Sequence, residues 1–192
     1  MTEYRRITDL ATLKAFGHPL RMRLYGALYM RGTATASHLA EDLDDGTAVS
    51  LISYHLRKLA EHGLIEPAEP EGADGRERWW KPAQEALRID SSDFRDTPEG
   101  TAAHTALSRV MYEQRRDHYL RFLDQRAGWS ADWQDAHDSS DFLARLTPEE
   151  LKEMTAELHG VVDRYVKAGK AADPEGRETV AVHLYAFPLR NA

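Results

Sequence analysis

The sequence predicts a mainly α-helical protein with a small amount of β structure, built in two parts. Three observations carry that expectation. Apolar residues recur at helical spacing through four short segments before Gly63. Two β-like runs follow within residues 64–82, separated by a turn-forming stretch rich in glycine and acid. A long helical stretch then begins near Pro98, after a polar segment at 88–98 that reads as a linker. The parts are accordingly residues 1–90 and 91–192, the second expected to be a helical extension with a short β element.

Residues 5–16 read as a first helix, with Ile7, Leu10, Leu13 and Phe16 near one face. The tripeptide Gly17-His18-Pro19 breaks it. Pro19 suits the first position of a second helix, where its missing N–H is not needed. That helix runs to about Met30, with Leu20, Leu24, Ala27 and Leu28 as its apolar stripe, and Gly32 ends it. A third helix covers about Thr35 to Leu43, and the acidic turn at 44–47 follows. The fourth helix, 47–62, places Ala48, Ile52, Leu56 and Leu59 together at 100° per residue. Thr47, Ser50, Ser53, Tyr54, Arg57 and Lys58 spread over the opposite side. Gly63 sits where a left-handed cap commonly closes a helix. Residues 64–69 and 78–81 then read as two strands, short or at an edge because of Pro67 and Pro82.

The second part opens with a helix over about 98–127. "TPEE" at 147–150 starts another: Thr147 caps, Pro148 takes the first position and Glu150 returns a bond to the cap. Leu151, Met154, Leu158, Val161, Val162 and Tyr165 form its stripe. The alternation in "TVAVHLYAFP", 179–188, predicts a strand, and "FLARL" at 142–146 a shorter one.

Composition narrows the function classes. The chain has 192 residues, no cysteine and a net charge of −7. No stretch approaches the ~20 apolar residues that cross a bilayer, and the N-terminus lacks the apolar core of a secretory signal. A cytoplasmic protein with no membrane partner is expected. Net acidity argues against nucleic acid, but residues 1–90 hold 12 basic and 14 acidic side chains against 13 and 18 in residues 91–192. The excess acid therefore sits mostly in the second part, and local clusters govern binding more than the total does. There is no Gly-rich phosphate loop, no GxSxG and no HExxH, so no catalytic residues, no cofactor and no enzyme are expected.

Three short helices, a fourth with a polar outer face, then a hairpin: this is the order of a winged helix-turn-helix. A recognition helix must be slim and polar outside to enter the major groove. Small hydroxyls permit close approach, and Arg57 and Lys58 reach phosphate or guanine. Arg76 and Arg78 on the wing, 64–82, reach the flanking backbone. The candidate DNA-binding set is therefore Thr47, Ser50, Ser53, Tyr54, Arg57, Lys58, Arg76 and Arg78. Arg21 and Arg23 could touch phosphate, but are read more simply as surface charges or structural ion pairs.

The segments "FGHPLRMRLYGAL" at 16–28, "TASHLAEDL" at 35–43 and "SYHLRKLAEHGLI" at 53–65 resemble ArsR-type winged-helix repressors. The resemblance spans about residues 8–85. It implies a homodimeric bacterial transcription factor released from its operator by a signal. Two features depart from the pattern. The turn before the recognition helix is longer and carries Asp44 and Asp45, and the chain continues well beyond the wing, as in longer members with a helical extension.

Metal sensing finds no support in the residues. Thiolate ligands are absent, and His104, Asp117 and His118 do not have the paired spacing of a helix-borne site. His183, Tyr185 and Phe187 share one face of the expected last strand. They form either the wall of an effector pocket, for a small molecule or a protein segment, or a second packed face, the simpler of the two. The expected function is a homodimeric, sequence-specific DNA-binding regulator, in sense a repressor, with double-stranded DNA as partner. The rival is a winged-helix protein-interaction module that does not bind DNA, favoured by the acidic turn and the net charge.

Overall fold

The computed structural model describes residues 4–69, 77–173 and 175–190. The chain divides into two compact units, residues 1–123 and 124–192. The mainly helical architecture with small sheets is as expected.

The first unit opens with β1, Tyr4–Arg6, then α1, Leu10–Phe16. The single helix read over 5–16 is thus a strand and a shorter helix. The reason is local: Asp9 leaves helical geometry and accepts a hydrogen bond from the Thr12 amide, 2.8 Å, capping α1. Upstream of that cap the backbone pairs in parallel with β4, Ala86–Arg88, in the register Arg5↔Leu87. No local pattern announces such a pairing, because its partners lie about eighty residues apart.

Next come α2, Pro19–Arg31, α3, Ala36–Leu43, and α4, Val49–Glu61. Thr35 caps α3, accepting from the His38 amide. The hairpin is β2, Ile65–Ala68, antiparallel to β3, Trp79–Pro82. Ala34, just before α3, exchanges two backbone hydrogen bonds with Trp80, 2.9 and 3.0 Å, and ties the wing to the helices. Trp80 is buried while Trp79 stays half-exposed against the His38 ring.

Leu13, Leu24, Leu28, Leu39, Ile52, Leu56, Leu59 and Leu64 are fully buried and form one core with Ile7 and Trp80. Ala48 lies outside it: it is the exposed residue at the N-cap of α4. His55 takes the buried place instead, 6 % exposed. Gly63, at φ +63°, closes α4 in the left-handed region. Arg5 from β1 reaches the same helix end and donates to the carbonyls of His62, 2.9 Å, and Gly63, 2.6 Å. A cation on these carbonyls is favoured by the helix dipole.

Residues 88–98 are not a linker. Phe94 is buried, and Arg6 makes a two-bond ion pair with Asp93, 2.7 and 2.8 Å. The long helix α5, Pro98–Gln125, packs back on the core through fully buried Leu107, with Val110 and Met111 beside it. Gly100 is required at its start, because a Cβ there would lie 2.4 Å from the Phe94 carbonyl oxygen. The structural division consequently falls after Leu123 rather than near residue 90.

The second unit holds α6, Ala131–Ala136, and α7, Pro148–Ala171. The capping box at the start of α7 is formed: Glu150 donates its amide to the Thr147 hydroxyl, 3.2 Å, and its carboxylate accepts from the Thr147 amide, 2.7 Å. Among the described residues of this unit none is buried. The strands expected at 142–146 and 179–188 are not formed, and both runs are exposed. The four strands lie in the first unit instead. Alternating side chains do not make a strand without a neighbouring strand to take its backbone hydrogen bonds, and the described part of this unit supplies none.

Candidate nucleic-acid interface

The hydrophobic positions of α4 decide what its other side presents. Ile52, His55, Leu56 and Leu59 recur at i, i+3, i+4 and i+7 and face the core. Ser50, Ser53, Tyr54 and Arg57 follow the same spacing on the outer side. Ser50, Tyr54 and Arg57 are exposed, and Ser53 and Lys58 are half-exposed. Five of the expected contact residues therefore lie on the accessible part of one short helix.

Their electrostatic states differ. Lys58 pairs with Glu61 at 2.7 Å, which raises its pKa, and its ammonium stands 5.9 Å from the centre of the Tyr54 ring. Arg57 makes no ion pair with any described residue. Its guanidinium is the uncommitted cation of this face. Thr47 precedes the helix and is held by Asp45, whose carboxylate accepts from the Thr47 amide, 2.9 Å, and from its hydroxyl. The same carboxylate takes an ion pair from Arg23 at 2.8 Å, confirming Arg23 as a structural partner. Arg21 donates to the Ala15 carbonyl, so it too is committed.

On the wing, Arg78 is exposed and lies over the Trp80 ring, 4.4 Å from its centre. Arg76 lies outside the described residues. Ser53, Arg57, Glu77, Arg78 and Trp80 line one shallow groove between α4 and the wing, so helix and hairpin contribute to a common surface. Glu77 is anchored there by the Ser37 hydroxyl, 2.5 Å, which holds its carboxyl below the usual range. His183, Tyr185 and Phe187 are exposed, on a segment without strand structure in the other unit.

The helix-turn-helix model matches residues 16–68, from Phe16 at the end of α1 to Ala68 at the end of β2. This segment is a helix-turn-helix domain. With β3 added it is a winged helix-turn-helix, ArsR-like in its motifs. Two solved structures are similar to the chain. One, a "possible transcriptional regulator for arsenical resistance", is 28% identical, with 59% of this chain and 96% of that one covered, at a TM-score of 0.33. Another, an ArsR family transcriptional regulator, is 24% identical, with 55% and 84% covered, at a TM-score of 0.31. TM-scores this low do not establish a fold shared over the whole chain. No curated protein matches it. Among the described residues no helix is long and apolar enough to cross a membrane.

On sequence Leu51 and His55 flank the apolar stripe of this helix; the structure buries His55 within it and leaves Leu51 exposed. The spacing of His55 with Ile52, Leu56 and Leu59 was the signal, masked because histidine is not counted as apolar. The ring packs against His18 at the start of α2, 4.7 Å between centres, and its Nδ1 is buried without a hydrogen-bond partner among the described residues. Burial first, then the neighbouring His18 and Arg21, lowers the His55 pKa; burial and Arg21 lower that of His18. Tyr54 on α4 is the other titratable group against this ring. Both imidazoles accept protons more readily in the unfolded chain, whose ordinary value is about 6.5. Their contribution to stability is thus complete above that value and is lost as pH falls through it. Thermal unfolding is expected at a lower temperature at pH 5.5 than at pH 7.5. His55→Leu should shrink that difference, and an unchanged difference would show that this pair does not cause it.

Proposed function

We propose that the chain is a sequence-specific DNA-binding transcriptional regulator, acting in the cytoplasm as a homodimer and in sense a repressor. The reading is of a binding protein, not a catalyst. The observation that carries it is the outer face of α4, where Ser50, Ser53, Tyr54 and Arg57 lie exposed or half-exposed over a buried inner stripe of Ile52, His55, Leu56 and Leu59. The helix enters the major groove, with base edges read near its N-terminal end. Arg78 and the wing take the flanking backbone.

Dimerisation is supported by exposed apolar side chains on α5, among them Leu120 and Leu123. One module alone reads few bases, and a two-fold pair reads two half-sites about one helical turn apart. An effector that changes the separation of the two α4 helices would release the operator. The protein-interaction reading draws on the acidic turn, but Asp45 is neutralised internally by Arg23 and Thr47, which removes half of that argument.

The test is a mobility-shift titration against DNA from the protein's own promoter region at several salt concentrations. Binding that weakens steeply with salt is expected, since each neutralised phosphate releases counterions. No shift even at low salt would favour the interaction module.

A further inference from the structure

The turn before α4 holds an arrangement in which Thr47, one of the expected contact residues, is already engaged. One carboxylate, Asp45, is shared between two groups from different elements. It pairs with Arg23 of α2 at 2.8 Å and accepts from both the amide and the hydroxyl of Thr47. Arg23 and Asp45 remain accessible, at 43% and 32% side-chain exposure. Asp44 beside it, in left-handed geometry at φ 43°, makes no ion pair with a described residue. The first turn of α4 has no side-chain cap.

These groups stand at the end of α4 that approaches base edges in a helix-turn-helix. A free arginine there, with a threonine hydroxyl beside it, would attract phosphate regardless of sequence. A carboxylate that neutralises the arginine and occupies the threonine removes that attraction. We propose that Asp45 is a specificity-determining residue: by holding Arg23 and Thr47 it suppresses sequence-independent DNA binding and leaves discrimination to the outer face of α4. This rests on the DNA-binding reading above. The carboxyl is held down to about 2, by the Thr47 hydroxyl first, then its amide, then Arg23, so it is charged at any working pH.

Asp45→Asn keeps the shape and an acceptor oxygen for Thr47 while removing the charge. Binding of a scrambled duplex should tighten about tenfold at fixed salt, with the log–log salt dependence steeper by about 1, the mark of one more phosphate contact. Promoter DNA should gain less, so the specificity ratio falls. Arg23→Ala should cancel the gain in the Asp45→Asn background, a coupling that a merely structural role would not produce. Asp44→Asn changes net charge equally and should give a smaller gain. The same variants are run on a heparin column, where Asp45→Asn should elute at higher salt in an Arg23-dependent way.

Equal gains from Asp44→Asn and Asp45→Asn, or an Arg23→Ala loss of equal size in both backgrounds, overturn the proposal. If Asp45→Asn does not fold, Asp45→Ala replaces it: a scrambled-duplex gain that persists when Arg23→Ala is added contradicts the proposal. Failure of every variant to bind duplex refutes the DNA-binding reading and the specificity role with it, whereas duplex binding that is equal in wild type and Asp45→Asn overturns the Asp45 proposal alone.

Discussion

Arg57→Ala lowers affinity for promoter DNA by about 10- to 100-fold and leaves thermal unfolding unchanged, the range expected for an arginine that reads a base edge or anchors on phosphate. The size of the effect follows from charge state. On the outer face of α4 two cations are available, Arg57 and Lys58. Lys58 is engaged by Glu61 at 2.7 Å and must exchange that partner to reach DNA. Arg57 pairs with no described residue and faces the groove that also holds Ser53 and Arg78. Its planar fork suits bidentate contact with guanine or phosphate, which lysine cannot reproduce. Stability should be unaffected, because an exposed side chain without partners contributes within about ±0.5 kcal/mol. Lys58→Ala should cost less than Arg57→Ala. Fluorescence anisotropy with labelled duplex, alongside a melting curve for each variant, checks both statements. Wild-type affinity in Arg57→Ala would mean that a different face of α4 meets DNA.

Leu107→Ala destabilises the first unit by about 2–5 kcal/mol, the cost of truncating a fully buried leucine and leaving a cavity. Leu107 is 1% exposed, and it sits on α5, well past the end of the wing. Its Cβ would lie 3.7 Å from one added at Gly17, so α5 closes directly over the junction of α1 and α2. Denaturant unfolding followed by tryptophan fluorescence, with Trp79 and Trp80 on the wing as reporters, measures the loss. If Leu107→Ala unfolds like wild type, α5 is an appendage and the winged domain ends before residue 98. The expected loss would instead make the start of the extension an integral part of the DNA-binding unit. A change along α5 would then be felt at α2 and so at α4.

The four helices of the winged domain and its hairpin were legible because their information is local. Pro19, Thr35 and Gly63 mark helix ends, and apolar residues recur at i, i+3 and i+4 between them. The same holds for the Thr147–Glu150 box, in which each residue satisfies the other's backbone group. What was not legible was non-local. The pairing of β1 with β4 joins residues far apart in sequence, such as Arg5 and Leu87, and it turns the polar segment near residue 90 from a linker into structure. The alternation at 179–188 misled for the converse reason: the pattern describes a strand's faces but not the partner that a strand requires. Within the candidate site, the polar face of α4 was readable from spacing. The commitments of its charges were not. That Arg23 is taken by Asp45 and that Arg57 pairs with no described residue depends on which side chains meet across turns, whereas the Lys58–Glu61 pair, at i and i+3 of one helix, is local.

The central claim is that the outer face of α4 meets the DNA. Backbone amide chemical-shift mapping of the labelled protein, titrated with promoter duplex, tests it most directly. Shifts should concentrate at Ser50, Ser53, Tyr54 and Arg57, with Arg78 following and the exposed residues of α7 unmoved. Shifts confined to α5 or α7, or none on α4 at saturating duplex, would contradict the account.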